Sequence, residues 1–413
     1  MSTLNPKRTV EELKELRRLT ADDNGAQRVA WTDTWLEARA WLREKLDALG
    51  LETHKDEAGN VWSTLKGKSE KSLLIGGHMD SVPNGGWLDG CLNVLAGLEV
   101  IRRIKDQYGT PPVTVQLVDW ADEEGARFGR SLFGSSSCAG TMNPDEERNR
   151  TDKDGIHFED ALKRCGVDID KAHLANKNLK NVAAHLELHV EQGPVLLDLD
   201  LPLGTVLGTY GVERHAMTFY GQAAHSGSTP MNRRKDAFLA AAKMSPEIYQ
   251  ITDRHGGVCT IGSVTTKPGI VTSVVEECRI TLDQRILDAD KLATMLQEAK
   301  DASERFAQEG NVSVKWEHLW SIAPEHFHPD LLQFCDEAIQ ETCGYTKRLP
   351  SGPLHDAAEV SKAGIPTVMM FTQSLHGISH NKIEDTKEEH IEMSVTALDK
   401  LAEKTMDWIL KQA

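Results

Sequence analysis

Two polar residues in the first quarter of the chain are of types that bind metal ions, and a short apolar run precedes them. Residues 73–75 are Leu-Leu-Ile, which is typical of a buried strand, and His78 and Asp80 come where that strand would end. Residues two positions apart in an extended chain point the same way. A histidine can bind a metal through one ring nitrogen while a carboxylate holds the other. Taken alone, His78 is better explained as a packed histidine at a strand end.

Three further predicted strands end in histidine or glutamate. They are residues 113–120 before Glu123 and Glu124, residues 182–189 ending in His189, and residues 365–371 followed by His380. The carboxyl ends of parallel strands meet at one edge of an open α/β sheet, which is where ligands bind. Paired acids are usually surface charge, and each strand end is a weak signal by itself. Four such ends in one chain are hard to explain by packing.

These residue types suit a metal site. Asp89 adds a further carboxylate, although it precedes a helical pattern and is also a candidate helix cap. Histidines with several carboxylates favour divalent zinc, manganese or cobalt. A paired site would let one carboxylate bridge two ions and would generate a hydroxide near neutral pH. Of the adjacent Glu123 and Glu124, one would then be a ligand and the other the base for the attacking water.

Composition is that of a globular protein with two domains. The 413 residues exceed what one core usually supports, and 39% are apolar and 27% charged. The net charge of −16 argues against nucleic acid and against an anionic membrane as partners. Seven cysteines without a C-x-x-C pair indicate reduced thiols. Neither a signal peptide nor an apolar run of about 20 residues is visible, so we expect a cytoplasmic protein.

The order of predicted elements indicates an α/β domain that is interrupted once. Strands and helices alternate up to residue 207 and again from residue 322. The predicted strands of the block between them are residues 217–220, 258–264, 278–285 and 312–316, and its predicted helices are residues 236–249 and 289–308. We therefore predict a catalytic domain from residues 1–207 and 322–413, and an inserted α+β domain from residues 208–321.

Six stretches together resemble the M20 metallopeptidase clan, in its amidase/hydantoinase/carbamoylase branch. They are GGHMDSVPNGGWLDG (76–90), DEEGARFGRSLFGSSSCAG (122–140), LELHVEQGP (186–194), GQAAHSGSTPMNRRKDA (221–237), LPSGPLHDA (349–357) and GISHNKIED (377–385). They occur in the family's order and span most of the chain, so a chance match is negligible. The resemblance implies an α/β fold in which helices flank a mixed, mostly parallel sheet, with an inserted domain that acts as lid and dimerisation surface.

The resemblance also assigns roles to the candidate ligands. It implies two divalent metal ions per subunit, which would be zinc or else manganese, cobalt or nickel. Their implied ligands are His78, Asp89 as the bridging carboxylate, Glu124, His189 and His380. Glu123 would be the general base that later returns its proton to the leaving nitrogen. Asp80 would orient His78, and His355 and Asp356 would support the ligands without touching the metals.

Several residues are implied to contact the substrate. His225 resembles the histidine that reaches a neighbouring subunit's site and stabilises an oxyanion, although by itself it would be interpreted as a loop histidine. Arg285 resembles the arginine that grips the substrate carboxylate through its bidentate fork. Gln192 and Gly352 would add hydrogen bonds to the substrate.

The chain departs from the family just before Arg285. The usual Asn-Val-Val/Ile-Pro stretch begins here with Thr272, so a hydroxyl replaces the amide that helps hold the acid end of the substrate. The loop at residues 351–356 is also bulkier than the family's small-residue version and lines the same pocket. Both differences affect the fine choice of substrate and leave the metal chemistry unchanged.

The predicted activity is hydrolysis of the ureido C–N bond of an N-carbamoyl-L-amino acid. A histidine at 189 resembles the carbamoylase and allantoate branch, since a carboxylate takes that place in the peptidase and aminoacylase branches. We expect a small ureido substrate and a homodimer formed through the inserted domain. The alternatives are an allantoate amidohydrolase or β-ureidopropionase, a dipeptidase or aminoacylase, and a catalytically silent binding protein on the same scaffold.

Overall fold

The computed structural model describes residues 4–412. Its strands are β1 (Ala21–Asp22), β2 (Gly25–Ala26), β3 (Glu52–Lys55), β4 (Val61–Leu65), β5 (Ser69–His78), β6 (Val113–Trp120), β7 (Val182–Val190), β8 (Leu203–Thr209), β9 (Gly211–Tyr220), β10 (Val258–Thr260), β11 (Val264–Lys267), β12 (Glu277–Ile286), β13 (Ser313–Ile322), β14 (Glu325–His326), β15 (Arg348–Ser351) and β16 (Thr367–Thr372). Its α-helices are α1 (Pro6–Thr20), α2 (Asp33–Ala48), α3 (Cys91–Tyr108), α4 (Phe133–Ala139), α5 (Pro144–Glu147), α6 (Phe158–Arg164), α7 (Val195–Asp198), α8 (Ala237–His255), α9 (Ala289–Glu309), α10 (Pro329–Cys343), α11 (Asp356–Lys362) and α12 (Glu388–Lys411). Short 3-10 segments lie at Ala172–Leu179, Met231–Arg233 and Leu375–Gly377.

The chain divides into two units. The first runs to Gly208 and resumes at Phe327, and the second is Thr209–His326. The boundaries predicted from the sequence were 207/208 and 321/322. Residues 1–3 and 413, which that prediction placed in the catalytic domain, lie outside the described residues.

A mixed sheet forms the centre of the first unit. Its strands follow the order β14-β8-β16-β7-β5-β6-β4-β3, with β15 paired to β8. Neighbouring strands of the inner four, β16, β7, β5 and β6, are parallel, whereas β8 and β4 on either side of them pair antiparallel. The mixed sheet flanked by helices, with four parallel strands at its centre, confirms the predicted fold class.

The parallel pairing brings the predicted strand ends to one edge of the sheet. His78 at the end of β5 lies opposite Trp120 at the end of β6, and Glu123 follows within three residues. His189 near the end of β7 lies opposite Phe371 in β16. The inner strands are buried along most of their length, as expected for a sheet that is covered by helices on both faces.

The second unit is an antiparallel sheet packed against two helices. Its strands follow the order β10-β12-β9-β13, with β11 also paired to β12. Buried and half-buried residues alternate along β12, so one face of the sheet packs against helices α8 and α9. Both helices begin at aspartate N-caps, Asp236 and Asp288, whose carboxylates accept backbone N–H groups.

The structure differs from the predicted elements in several places. The strand predicted at 258–264 is wrong, because it breaks at Ile261-Gly262-Ser263 into β10 and β11, where the Ser263 N–H donates to the Thr281 hydroxyl. Helix α1 was not predicted, since its apolar positions are separated by many charged residues. Within the described residues, no helix combines the length and apolarity that a membrane crossing requires.

Close packing of α3 on the sheet generates a stability prediction. A Cβ at Gly97 would lie 2.8 Å from Ile75 Cγ2 and 2.8 Å from Leu117 Cδ1, side chains of β5 and β6. We expect Gly97→Ala to lower the free energy of unfolding by about 1–3 kcal/mol through overpacking. Urea unfolding followed by circular dichroism measures it, with the exposed Gln107→Ala on the same helix as control. Equal stability of both variants would show that the helix and sheet have room to adjust.

Candidate metal centre

One carboxylate, that of Asp89, lies between two groups of candidate ligands. Its Oδ1 is 3.1 Å from His189 Nε2 and 3.6 Å from His78 Nε2. Asp89 and both imidazoles are buried, and their ligand atoms lie within 4.8 Å of one another. Three donors so close together can hold one metal ion.

The second oxygen of Asp89 faces a different pair of residues. Oδ2 lies 3.4 Å from His380 Nε2, which in turn is 3.2 Å from Glu124 Oε2. These three ligand atoms also lie within 4.8 Å of one another. Asp89 is therefore common to both groups, as a bridging carboxylate would be.

Backbone contacts hold two of the histidines with Nε2 facing the carboxylate. His78 Nδ1 lies 3.1 Å from the carbonyl oxygen of Asp80, and His189 Nδ1 lies 2.8 Å from that of Val190. Carbonyls only accept, so each Nδ1 carries a hydrogen, and in the neutral ring, the form that binds a metal, Nε2 keeps a lone pair. His78 Nε2 is buried without a hydrogen-bond partner. A lone pair directed at a carboxylate is unfavourable unless a cation lies between them, so the donor set fits metal binding.

The close approach of the backbone to His78 requires a glycine. Gly90 has φ 69°, in the left-handed region, and a Cβ there would lie 2.3 Å from the imidazole of His78. The Asp89–Gly90 turn before α3 thus fits against the end of β5. Any other residue at 90 would displace either His78 or Asp89.

Burial and the nearby histidines shift the pKa values of the buried acids in opposite directions. Burial works against the charge of Asp89, but His189, then His380 and His78, outweigh it and hold its pKa well below the usual value. Burial raises the pKa of Glu123 well above its usual value. The charges of Glu124 and Asp356 raise this pKa further, whereas His78 lowers it. Divalent cations would favour the ionised form of every one of these acids.

Asp80 holds the segment that carries the two glutamates. Its carboxylate accepts the backbone N–H of Glu123 at 3.3 Å and that of Glu124 at 3.1 Å. The predicted contact with His78 is made mainly by the backbone, since Asp80 Oδ1 is 3.5 Å from His78 Nδ1. Glu123 Oε2 lies 3.7 Å from His78 Nε2, beside the first ligand group.

His355 and Asp356 lie close behind the ligands. The His355 ring is 4.4 Å from that of His189, and its Nε2 is 2.9 Å from the Ser351 hydroxyl. Burial lowers the pKa of His355 well below its usual value, which keeps the ring neutral. Asp356 accepts the hydroxyl of Ser135, and burial, with Glu187 adding to it, raises its pKa well above the usual value.

Gln192 contacts the metal ligands in this structure. Its Nε2 donates to Asp89 Oδ2 at 2.9 Å and lies 3.3 Å from His380 Nε2. Gly352 is half-buried in the loop that Ser351 closes by donating its hydroxyl to the Pro353 carbonyl at 2.9 Å. Substrate contacts of Gln192 and Gly352 remain predictions.

The other predicted substrate residues belong to the second unit. His225 is exposed, and its Nδ1 accepts the N–H groups of Gly227 at 3.1 Å and Ser228 at 3.2 Å. Thr272 is exposed, and its carbonyl accepts the Ser226 N–H at 3.0 Å. Arg285 contacts Asp283 through Nε at 2.7 Å and through a terminal nitrogen at 3.2 Å.

Several residues at the site were not predicted from the sequence. Glu187 lies two positions before His189 on the same strand, so the period of a strand could have indicated it. Burial raises the pKa of Glu187 to about 7, although the nearby His189 acts to lower it. Ser379 and Glu384 flank His380 in a polar loop, and nothing in their types indicates that Glu384 is buried.

Comparison with known proteins identifies the family to which this chain belongs. The model of Peptidase family M20/M25/M40 matches residues 74–404. The chain belongs to Peptidase family M20/M25/M40. This match confirms the resemblance described from the sequence motifs.

Individual relatives of the M20 chain are similar over nearly its whole length. Allantoate amidohydrolase of Escherichia coli (strain K12) is 33% identical over 381 residues, covering 91% of this chain and 92% of that protein. N-carbamoyl-L-amino acid amidohydrolase of Geobacillus stearothermophilus is 34% identical over 370 residues, covering 88% and 90%. A crystal structure of a hydantoinase/carbamoylase family amidase from Burkholderia multivorans has 31% identity and a TM-score of 0.86, covering 96% of this chain and 97% of that one.

These similarities show which class of reaction the protein catalyses. It is an amidohydrolase that acts on carbon–nitrogen bonds in linear amides, as predicted. Enzymes of the M20 family depend on metal ions, and the two ligand groups around Asp89 are the candidate binding residues here.

The ligand groups predict a pH-dependent metal affinity. Hydrogen bonds to Asp89 and Glu124 raise the pKa of His380 to about 10 in the metal-free protein, so its ring is protonated at neutral pH. A metal ion requires the neutral ring, so binding releases a proton and affinity rises with pH, by about tenfold per pH unit for one proton. Calorimetric titration with manganese between about pH 6 and pH 8, in buffers of different ionisation enthalpy, measures this. Unchanged affinity without proton release would contradict it, and His380→Ala is the control.

Proposed function

We propose that the protein is a binuclear metal amidohydrolase that cleaves the ureido C–N bond of N-carbamoyl-L-amino acids, giving the L-amino acid, carbon dioxide and ammonia. The observation that carries the binuclear centre is that Asp89 turns one oxygen to His78 and His189 and the other to Glu124 and His380. The substrate class is supported by the Geobacillus stearothermophilus relative, which is 34% identical.

Two divalent ions, zinc or else manganese, cobalt or nickel, would be held by the two groups that share Asp89. When bound, they would polarise the ureido carbonyl and lower the pKa of water. His78 and His189 would bind through Nε2 in the neutral form of the ring, because each Nδ1–H is donated to a backbone carbonyl.

Glu123 is the proposed general base. Its carboxylate is buried beside His78, and Asp80 fixes the backbone on which it stands. It takes the proton from the attacking water and returns it to the leaving nitrogen as the tetrahedral adduct collapses. A buried carboxylate has few competing hydrogen-bond partners from solvent, so the proton stays available for the leaving group.

Residues of the second unit are proposed to hold the substrate. Because His225 Nδ1 accepts two backbone N–H groups, the hydrogen of the neutral ring is on Nε2, where it can be donated to an oxyanion. Arg285 would bind the substrate carboxylate, with Thr272, Gln192 and Gly352 adding hydrogen bonds. Closure of this unit as a lid would exclude water from the substrate.

A homodimer formed through the second unit is part of the proposal. Exposed apolar side chains of this unit support it, among them Phe238 and Leu239 on α8 and Val264 on β11. His225 would then reach the site of the neighbouring subunit. The free thiols of all seven cysteines fit a reducing compartment such as the cytoplasm.

Allantoate is the second candidate substrate. The Escherichia coli relative named allantoate amidohydrolase is 33% identical over 91% of this chain, which is almost the same similarity as that of the carbamoylase. Both substrates carry a ureido group next to a carboxylate, so Arg285 and the metal centre would serve either one.

A substrate panel distinguishes these candidates. We expect metal-loaded enzyme to release ammonia from N-carbamoyl-L-amino acids or allantoate, with lower kcat/KM for β-ureidopropionate, N-formyl and N-acetyl amino acids and dipeptides. The reason is that the ureido carbonyl and the substrate carboxylate must bind together. Brisk dipeptide cleavage without hydrolysis of any ureido compound would refute the assignment.

Glu123→Gln tests the assigned base. The amide cannot accept the proton of water, so we expect kcat to fall by about 10²–10⁴-fold while both metal ions stay bound. Steady-state kinetics together with metal analysis of the same preparation measure this, with wild-type enzyme as the reference. A variant with wild-type kcat would remove Glu123 from this role, and a wild type as inactive as the variant under all metals would favour a binding protein.

A further inference from the structure

A buried carboxylate outside the proposed ligand set connects two of the ligand-bearing loops. Glu384 is 2% exposed, although it lies in a loop whose neighbours on both sides, Ile383 and Asp385, are exposed. Its Oε1 accepts the backbone N–H of Leu88 at 3.1 Å and that of Asp89 at 3.0 Å. A buried carboxylate with two such donors fixes the backbone that supplies them.

The second oxygen of Glu384 extends the connection to the side chain of the bridging residue. Ser379 contacts Glu384 Oε2 through its hydroxyl, and the same hydroxyl lies 2.9 Å from Asp89 Oδ2. Glu384 thus holds the backbone of Asp89 directly, and the Ser379 hydroxyl, whose one hydrogen can be donated to either carboxylate, lies between the two side chains. Oδ2 is the oxygen that faces Glu124 and His380, the second ligand group.

The loop that contains Gly86 packs closely against the side chain of Glu384. A Cβ at Gly86 would lie 2.1 Å from the Glu384 carboxylate, so the loop before Asp89 is shaped around this side chain. His380, between Ser379 and Glu384, has φ 55° in the left-handed region. A non-glycine residue keeps that conformation only when its surroundings hold it.

We propose that Glu384 is a positioning residue that sets the geometry of Asp89 Oδ2 and His380, and thereby the second of the two metal positions. This inference rests on the proposed binuclear function. Asp89 and His380 lie about 290 residues apart in the chain, and neither belongs to a strand or helix. Glu384 joins their loops at the Leu88–Asp89 backbone and at Ser379. The hydrogen bond from Trp87 Nε1 to Asp385 Oδ1 at 3.2 Å joins the same loops farther from the candidate ligands.

The test is stepwise zinc binding to metal-free protein, measured by calorimetry and by metal analysis after dialysis. We expect two ions per wild-type subunit. Glu384→Ala should weaken the second ion by about 10–100-fold and leave the first nearly unchanged. Glu384→Gln should bind like wild type, because its amide oxygen can accept both N–H groups and its amide N–H can reach Ser379. Ile383→Ala, at an exposed neighbouring position, is the matched control.

The outcomes separate this inference from the proposed function. A wild-type protein that binds fewer than two ions overturns both. Two ions with equal affinity in wild type and Glu384→Ala overturn only the positioning role, as does a loss in Glu384→Gln as large as in Glu384→Ala. If Glu384→Ala does not fold by circular dichroism, Ser379→Ala supplies the comparison: a weaker second ion supports the inference, and unchanged affinity overturns it.

Discussion

The burial of several carboxylates around two imidazoles is the constraint on which the rest of the site depends. Asp89, Glu123 and Asp80 are all at most 8% exposed and lie around His78. Carboxylates so near one another repel each other strongly where water is excluded. Divalent cations would relieve this repulsion, and that is why we interpret this part of the protein as a candidate metal centre.

The scaffold meets this constraint by distributing the groups over separate strands. His78 and His189 end neighbouring parallel strands of the sheet, and Glu123 and Glu124 follow a third. His78 is paired with β6 and His189 with β16, whereas the Asp80 carboxylate holds the segment that carries the two glutamates. Asp89 and His380 come from loops, so their positions depend on specific contacts such as those of Glu384. The candidate site therefore combines residues placed by the sheet with residues placed by contacts between loops.

In the second unit, local contacts fix the orientation of two residues that are predicted to bind the substrate. Turn N–H groups fix the tautomer of His225, so that its Nε2 is the donor. Arg285 is held by Asp283, which fixes the direction of the planar guanidinium. Both features suit recognition of anionic oxygens, a carboxylate at Arg285 and an oxyanion at His225.

Much of this site could be predicted from the sequence because its ligands follow strongly apolar strands. Leu73, Leu74 and Ile75 made β5 recognisable, and the family motifs then placed Asp89 and His380. The supporting contacts were harder to predict, since they depend on tertiary packing. The orientation of His78 is held by the Asp80 carbonyl, which no side-chain pattern encodes. Glu384 looks like any acid of a polar loop until the fit of Gly86 against it is known.

The most direct test of the central claim is anomalous X-ray diffraction from crystals soaked in manganese or zinc. We predict two peaks about 3.5–4 Å apart on either side of the Asp89 carboxylate. One peak should lie about 2.0–2.2 Å from ligand atoms of His78 and His189, and the other at the same distance from Glu124 and His380. A single peak, or peaks that do not share Asp89, would contradict the account.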